Sequence, residues 1–289
     1  MPLDPKQVEK PVRKLRKIIK NISRQPSPED VHRLRTNARR LEATLFALEL
    51  DSESDGRRLL KSLSQVRKRA GKVRDMDVLT SYAARLSGGG DEECRVELLE
   101  HLGAKRRKTA GKLYSVVSKH RTELRSTLKQ VSSQLDRLLE GSDSQSRSAA
   151  PARATAAALV LESELANVAR LGRQNLHPYR LKVKELRNVL RMAKNSGDKE
   201  FIEVLGRVKD VIGEWHDWQE LSGIASKKLD HNGCNLIREL QRKTAEKYDQ
   251  ALAETEIMRR KYLGVSRGKK RGAHKFSEPA WTATRDMAA

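Results

Sequence analysis

Aromatic residues and cysteine are scarce in this sequence. Phe, Trp and Tyr make up 4% of the chain, and Gly and Pro are few. This composition argues against an all-β fold, because strands favour aromatic residues and the turns between them need Gly and Pro. The two cysteines, Cys94 and Cys234, lie far apart and match neither a disulfide framework nor a zinc site. We therefore expect two unpaired thiols in a reducing compartment.

Long apolar runs are missing as well. No segment approaches the ~18 apolar residues of a membrane-spanning helix. The first ten residues, MPLDPKQVEK, contain no apolar stretch of the kind found in signal peptides. We therefore expect a cytoplasmic protein without a membrane partner.

The sequence is instead rich in positive charge. It contains 60 Lys and Arg residues against 38 Asp and Glu residues, which gives a formal net charge of +22. This excess is far beyond what solubility requires and indicates a polyanionic partner. Nucleic acid, an anionic membrane and inorganic polyphosphate are all compatible with the charge alone.

The stretch VHRLRTNARRLEATLFAL, residues 31–48, places its cations unusually for a surface helix. Apolar residues recur every three or four positions, as in a helix that faces a core; they are Val31, Leu34, Ala38, Leu41, Leu45 and Leu48. His32, Arg35 and Arg39 each directly follow one of these residues, so they lie about 100° around the helix, beside the core. We call these three residues the first ladder.

A second copy of this pattern begins 145 residues later, where His177 corresponds to His32. In LHPYRLKVKELRNVLRMA, residues 176–193, the second ladder consists of His177, Arg180, Lys184 and Arg187. Residues 63–79 then match residues 205–221, pairing Gly71 with Gly213 and Asp75 with Asp217. RKTAGK at residue 107 finally matches RKTAEK at residue 242. Three matches in the same order indicate an internal duplication.

The helical patterns predict an all-α fold of two pseudo-symmetric antiparallel four-helix bundles. Helices are expected over 5–22, 28–48, 55–86 and 92–140, and again over 153–173, 176–194, 198–229 and 232–263. Residues 1–140 then form the first half, residues 141–152 a polar linker and residues 153–264 the second half. Residues 265–289 lack periodicity and are expected to form a flexible basic tail. Such a duplication can bring both ladders to one shared cavity or groove.

The residue types in the ladders suit phosphate. Arg presents a planar fork of donors, Lys a point charge, and His either a neutral donor or a second cation. Proteins that read nucleic-acid bases interleave aromatic stacking residues with their basic ones, and such residues are almost missing here. The pattern therefore favours a repetitive polyanion without bases as the ligand. For a single ladder, the plainer alternative is that its cations are solvated residues at the edge of a helical bundle.

The ordered motifs resemble the CHAD domain, the conserved histidine α-helical domain. H-x-x-R-x-x-x-R-R-L on one helix is followed by RDMDVL, and a degenerate second copy ends in HDWQEL. The resemblance covers roughly residues 8–263 and implies two four-helix bundles around a basic central cavity or pore that binds inorganic polyphosphate, with association with polyphosphate granules. It implies phosphate contacts by both ladders and by one further residue: His32, Arg35, Arg39, Arg40, His177, Arg180, Lys184 and Arg187.

Two acidic residues depart from the family pattern. Glu42 stands where a further Arg is usual, and Glu185 takes the place of Arg40 in the second copy, so both are expected to thin the charge of the cavity. The E-x-E-x-K motif of the triphosphate-tunnel domain, which many relatives carry, is not matched either. Glu254-Thr255-Glu256 is followed by Met258 in place of the lysine.

Other candidates extend or compete with this site. Arg74 of RDMD and His216 of HDWQ are expected to face the anion; the alternative is a metal site at His216-Asp217, although metal hydrolases need more converging ligands. The repeated RKTA cations are expected either to extend the basic wall or to form solvated helix faces; they are Arg107, Lys108, Arg242 and Lys243. Trp215 and Trp218 are predicted to pack in the core or between the halves.

The sequence thus predicts a non-enzymatic polyphosphate-binding protein with no catalytic residue, metal or cofactor. Partners are expected to be inorganic polyphosphate and proteins of polyphosphate granules, with nucleic acid bound only non-specifically. A general nucleic-acid-binding helical protein is the first alternative, since net charge alone would suffice. A metal-dependent phosphohydrolase is the second, supported by His216-Asp217.

Overall fold

The computed structural model describes residues 1–86, 92–140, 144–194, 199–229 and 234–265. These residues form eight α-helices and no β-strand. The helices are α1 Pro5–Asn21, α2 Pro28–Ala47, α3 Ser54–Ala83, α4 Glu92–Glu140, α5 Ser144–Ala166, α6 Leu176–Leu190, α7 Lys199–Lys228 and α8 Asn235–Tyr262. None of the helices in these ranges is long and apolar enough to cross a bilayer.

The predicted helices are all present, and the largest difference concerns α5. This helix begins at Ser144, so most of the predicted linker is helical, and it ends at Ala166 rather than near residue 173. Alanine, the strongest helix former, is frequent from residue 149 onward and outweighs the Ser residues and Pro151 that suggested a linker. Residues 141–143 and nearly all of the predicted tail, 266–289, lie outside the described residues.

The helix that carries the first ladder begins as its sequence predicts. The side chain of Ser27 accepts a hydrogen bond from the backbone N–H of Asp30 at 3.1 Å, and Pro28 occupies the first turn. The six apolar positions of the predicted core-facing stripe, from Val31 to Leu48, are fully buried. Their burial fixes the rotation of α2 and thereby the direction in which the adjacent cations project.

Most helices pack on their neighbours along the chain, and the two halves meet through the contacts of α2 with α5 and α6, of α3 with α7, and of α4 with α5. In the first half, α1 packs on α2 and α4, and α3 packs on α2 and α4. In the second half, α6 packs on α5 and α7, and α7 packs on α8. Helix α2 also contacts α6, and α3 contacts α7. The two ladder helices and the two helices that follow them therefore meet in the middle of the molecule.

A separate apolar cluster joins the outer ends of the α3–α4 and α7–α8 hairpins. It contains Leu79 and Leu98 from the first half and Leu221 and Leu240 from the second. Within it, the rings of Tyr82 and Trp218 stack with their centroids 4.8 Å apart. Trp215 is buried in the main core. The predicted packing role of both tryptophans is confirmed, and this cluster fixes α3 against α7 on one side of the central space.

Candidate functional site

A cavity of about 740 Å³ lies between α2, α3, α6 and α7. Ten of the fourteen residues predicted for the site line it: His32, Arg35, Arg39, Arg40, Arg74, His177, Arg180, Lys184, Arg187 and His216. The lining also includes Arg85 and Lys209. Nine Arg and Lys side chains thus face six acidic side chains, which are Asp75, Asp77, Asp210, Glu214, Asp217 and Glu220. The structure brings both ladders to one space that carries a formal excess of three positive charges.

Two arginines of the second ladder are anchored to the backbone of α7. The Nε–H of Arg180 donates to the carbonyl oxygen of Lys209 at 2.9 Å, and that of Arg187 donates to the carbonyl oxygen of Ile202 at 3.1 Å. Each guanidinium uses its Nε–H in this way and keeps its four terminal N–H groups for other partners. The anchors hold both charges at the cavity wall.

Lys184 sits among cations. Burial lowers the pKa of this lysine well below its usual value, and the largest electrostatic effects on it come from Arg39 and Arg180, which lower the pKa further. Burial likewise lowers the pKa of Arg180. The cavity therefore holds positive charges that repel one another and that an anion would relieve.

Carboxylates line the cavity beside the cations. An Nη2 atom of Arg35 lies 4.0 Å from a carboxylate oxygen of Asp75, as expected if this acid orients a ladder cation. Burial raises the pKa of Asp217 to about 6 and that of Glu220 to about 7. The side chain of Glu220 is 42% exposed, so water offsets part of the effect of its burial. The negative charge of the cavity therefore changes near neutral pH.

The histidines of the cavity are neutral donors or acceptors rather than cations. The rings of His177 and His216 lie 4.0 Å apart. Burial, reinforced by His216, lowers the pKa of His177 to about 3, and burial also lowers the pKa of His216. His32 is more exposed, yet burial lowers its pKa too. Near pH 7 these imidazoles therefore offer neutral hydrogen-bonding groups to the cavity.

The His216-Asp217 pair does not assemble a metal-ligand set. In the parts of the chain that the structure describes, no three His, Cys, Asp or Glu side chains converge so that they could hold a metal ion. Asp217 instead interacts with Arg180, and Glu220 lies 3.5 Å from the ring of His216. Both carboxylates therefore have a basic side chain as neighbour, Arg180 for Asp217 and His216 for Glu220.

The RKTA cations lie outside the cavity. Arg107 and Lys108 are exposed on α4, and Arg242 is exposed on α8, where it pairs with Glu246 at 3.7 Å. Lys243 is half-buried and does not line the cavity either. The physical reason is that α4 and α8 pack behind α3 and α7, which separate them from the central space. Of the two sequence interpretations, the solvated helix face describes the three exposed cations.

Glu42 and Glu185 do not line the cavity, contrary to the expectation that they thin its charge. Glu42 is buried and accepts a hydrogen bond from Arg67 Nε at 2.6 Å. Both acids line a small side pocket of about 30 Å³ beside Arg39 and Lys184. Glu185 directly follows Lys184 and therefore projects about 100° further around α6, away from the main cavity.

Sequence reasoning missed Arg85, Lys209 and the acids other than Asp75 and Asp217. Lys209 directly follows the buried Val208, so the rule that found the ladders would have found it on α7. Arg85 follows the end of α3 and has no such signal. The acids were missed because a search for a polyanion site selects cations.

The fold and the cavity define an all-α protein whose central space is lined by cations from two pairs of helices. The sequence profile of the CHAD domain matches residues 6–225, and the chain accordingly belongs to the CHAD domain family, which is known in general terms as polyphosphate-related. The crystal structure of the CHAD domain from the plant Ricinus communis is similar, with 16% identity and a TM-score of 0.54 over 90% of this chain and 87% of that chain. No curated protein matches the sequence significantly.

Proposed function

We propose that the protein binds inorganic polyphosphate in the central cavity without hydrolysing it, and that it associates with polyphosphate granules in the cytoplasm. The observation that carries this proposal is the environment of Lys184, a half-buried lysine in a cavity where nine Arg and Lys side chains meet only six acids. Holding such charges together costs free energy unless an anion offsets them. Family membership supports a phosphate-containing ligand.

The size of the cavity favours a single phosphate chain over a double helix. Pockets that hold small molecules measure about 300–1,000 Å³, and this cavity of about 740 Å³ falls in that range. A nucleic-acid duplex carries its phosphates on the outside of a wide rod, so it would meet only the rim. A linear phosphate chain is thin enough to enter this cavity and to contact both ladders.

The proposal includes the two-bundle interpretation of the fold. The contacts of α2 with α6 and of α3 with α7 pair the helices that the internal sequence matches relate. In this interpretation each half contributes one ladder to a shared basic cavity. Granule proteins are further expected partners, and nucleic acid is expected to bind only non-specifically.

A competition assay tests the proposal. Labelled long-chain polyphosphate is displaced by unlabelled polyphosphate, DNA or RNA at equal phosphate concentration and about 0.15 M salt. The wild type should prefer polyphosphate, and the double variant Arg35→Glu, Arg39→Glu should lose most of this binding while its circular dichroism stays helical.

Arg242→Glu is the matched control, because it also reverses a charge but lies on the exposed face of α8. It should bind polyphosphate as the wild type does. Equal displacement by DNA and polyphosphate would instead support the nucleic-acid alternative. A loss of binding in Arg242→Glu would show that the binding site lies outside the cavity.

A further inference from the structure

We infer that Gly213 and Gly206 are positioning residues, whose missing side chains let Arg180 and Arg187 lie flat against α7 and point their terminal nitrogens into the cavity. This inference rests on the proposed function, in which those nitrogens meet phosphate. Both glycines lie inside a long helix, where glycine is less favourable than alanine. Their presence there therefore calls for a reason outside the helix itself.

The space that each glycine leaves is filled by an arginine. A methyl carbon added at Gly213 would lie 2.9 Å from both Cζ and Nε of Arg180, and closer still to its Nη2. A methyl carbon added at Gly206 would lie 3.1 Å from Nε and 3.2 Å from Nη2 of Arg187. These neighbours are guanidinium atoms rather than backbone, so a larger residue would push the arginine away and leave the helices in place.

The anchoring hydrogen bonds fall on the same two turns. Arg180 donates to the carbonyl of Lys209, four residues before Gly213, and Arg187 donates to the carbonyl of Ile202, four residues before Gly206. In a helix that carbonyl also faces the N–H of the residue four positions later. The arginine can reach it from the side only where no Cβ stands in the way, which is at the glycine.

The same arginine–glycine pairing occurs at two positions along α6 and α7. Arg180 and Arg187 are seven residues apart on α6, and Gly206 and Gly213 are seven residues apart on α7. Seven residues are about two helical turns. Each arginine therefore meets its own glycine as the two antiparallel helices run past each other.

The first half of the chain provides an internal comparison. Gly71 corresponds to Gly213, and a methyl carbon added there would lie 3.6 Å from Nε of Arg35, the counterpart of Arg180. The counterpart of Gly206 is Ser64, and the counterpart of Arg187 is Glu42. Where the glycine is replaced, the arginine is replaced too, as a positioning role requires.

A series of alanine substitutions tests this role. Gly213→Ala should keep the fold and weaken polyphosphate binding about tenfold, since charge-assisted hydrogen bonds are misplaced. Gly206→Ala should weaken it a few-fold and Gly71→Ala less than about twofold, following the distances. The control is Gly223→Ala on the same helix, where an added methyl meets no heavy atom within 4 Å. It should raise the melting temperature and leave binding unchanged.

A second background separates positioning from a structural effect. In Arg180→Lys protein, Gly213→Ala should cause no further loss of binding, because lysine has no Nε–H to anchor at the carbonyl of Lys209. An equal loss in both backgrounds, or wild-type binding by Gly213→Ala, would overturn the inference. If Gly213→Ala does not fold, Gly206→Ala carries the same test against Arg187→Lys.

An NMR measurement without ligand distinguishes failure of this inference from failure of the proposed function. The Nε–H signal of Arg180 should be protected from solvent exchange in the wild type and lose that protection in Gly213→Ala. If the wild type binds no polyphosphate but this change occurs, the function is wrong and the positioning stands. If the signal is unaffected by the substitution, the positioning is wrong whatever the protein binds.

Discussion

Replacing Lys184 should change stability and binding in opposite directions. The Lys184→Met substitution removes the charge and keeps an unbranched apolar stem of similar length. The charge lies half-buried beside Arg39 and Arg180, and burial and these cations all lower its pKa. Like charges repel by about 1 kcal/mol per close pair even in a watery environment. We therefore expect the free energy of unfolding to rise by about 1–2 kcal/mol.

Polyphosphate binding should weaken at the same time. A hydrogen bond to a charged group contributes about 1.5–3 kcal/mol, and about 1.4 kcal/mol corresponds to a tenfold change in affinity. Loss of one such contact predicts a dissociation constant about ten times higher or more. Denaturant unfolding and isothermal titration calorimetry measure the two quantities on the same preparation.

Lys182→Met is the matched control on the same helix. Lys182 Nζ donates to Glu164 Oε2 at 2.6 Å, its side chain is 9% exposed, and it does not line the cavity. Removing its charge leaves Glu164 unpaired and should lower the free energy of unfolding by about 1 kcal/mol while binding stays unchanged. If Lys184→Met were instead destabilised like Lys182→Met, or bound polyphosphate like the wild type, the assignment of unbalanced charge to the ligand site would be refuted.

Four further outcomes are expected. Affinity should rise steeply with chain length, because a long polymer reaches from one ladder to the other while tripolyphosphate does not; equal affinities in a calorimetric length series would show that the ladders do not share a site. Binding should tighten as pH falls from 8 to 5, because Asp217 and Glu220, whose pKa values are raised to about 6 and about 7, lose their negative charge in that range, and Asp217→Asn should flatten the profile. By linkage, these two raised pKa values lower the free energy of unfolding as pH rises from about 4, near the unfolded-state values, to about 7. No hydrolysis of polyphosphate, triphosphate or nucleotides is expected with Mg²⁺ or Mn²⁺, and phosphate release that disappears in His216→Ala would contradict this.

Periodicity explains why the helices and the cation positions could be predicted. The direction of a side chain on α2 follows from which neighbours are apolar, so His32, Arg35 and Arg39 were placed beside the core before any packing was known. The sequence match then transferred the same placement to Arg180 and Lys184. Local physics of this kind depends on residues three or four positions apart, which a sequence displays directly.

Composition misled the prediction for α5. Ser and Pro between residues 141 and 152 suggested a linker, yet the helix begins at Ser144. Residues such as Ala154, Ala158 and Leu165 are buried against the rest of the protein. The packing of this face stabilises the helix by more than the unfavourable residues of its first turns destabilise it. The packing partners are distant in sequence, so the local pattern does not reveal them.

The acidic part of the cavity shows a further limit of sequence reasoning. Asp217 and Glu220 reach the cavity only because α7 docks against α3 and α6, and burial there raises their pKa values. A sequence identifies a carboxylate but not the solvent that it loses on folding. These acids oppose a polyanion at high pH and cease to do so as they become protonated. In the proposed function, the cations predicted from the sequence select the class of ligand, whereas the acids found in the structure set the pH at which it binds most tightly.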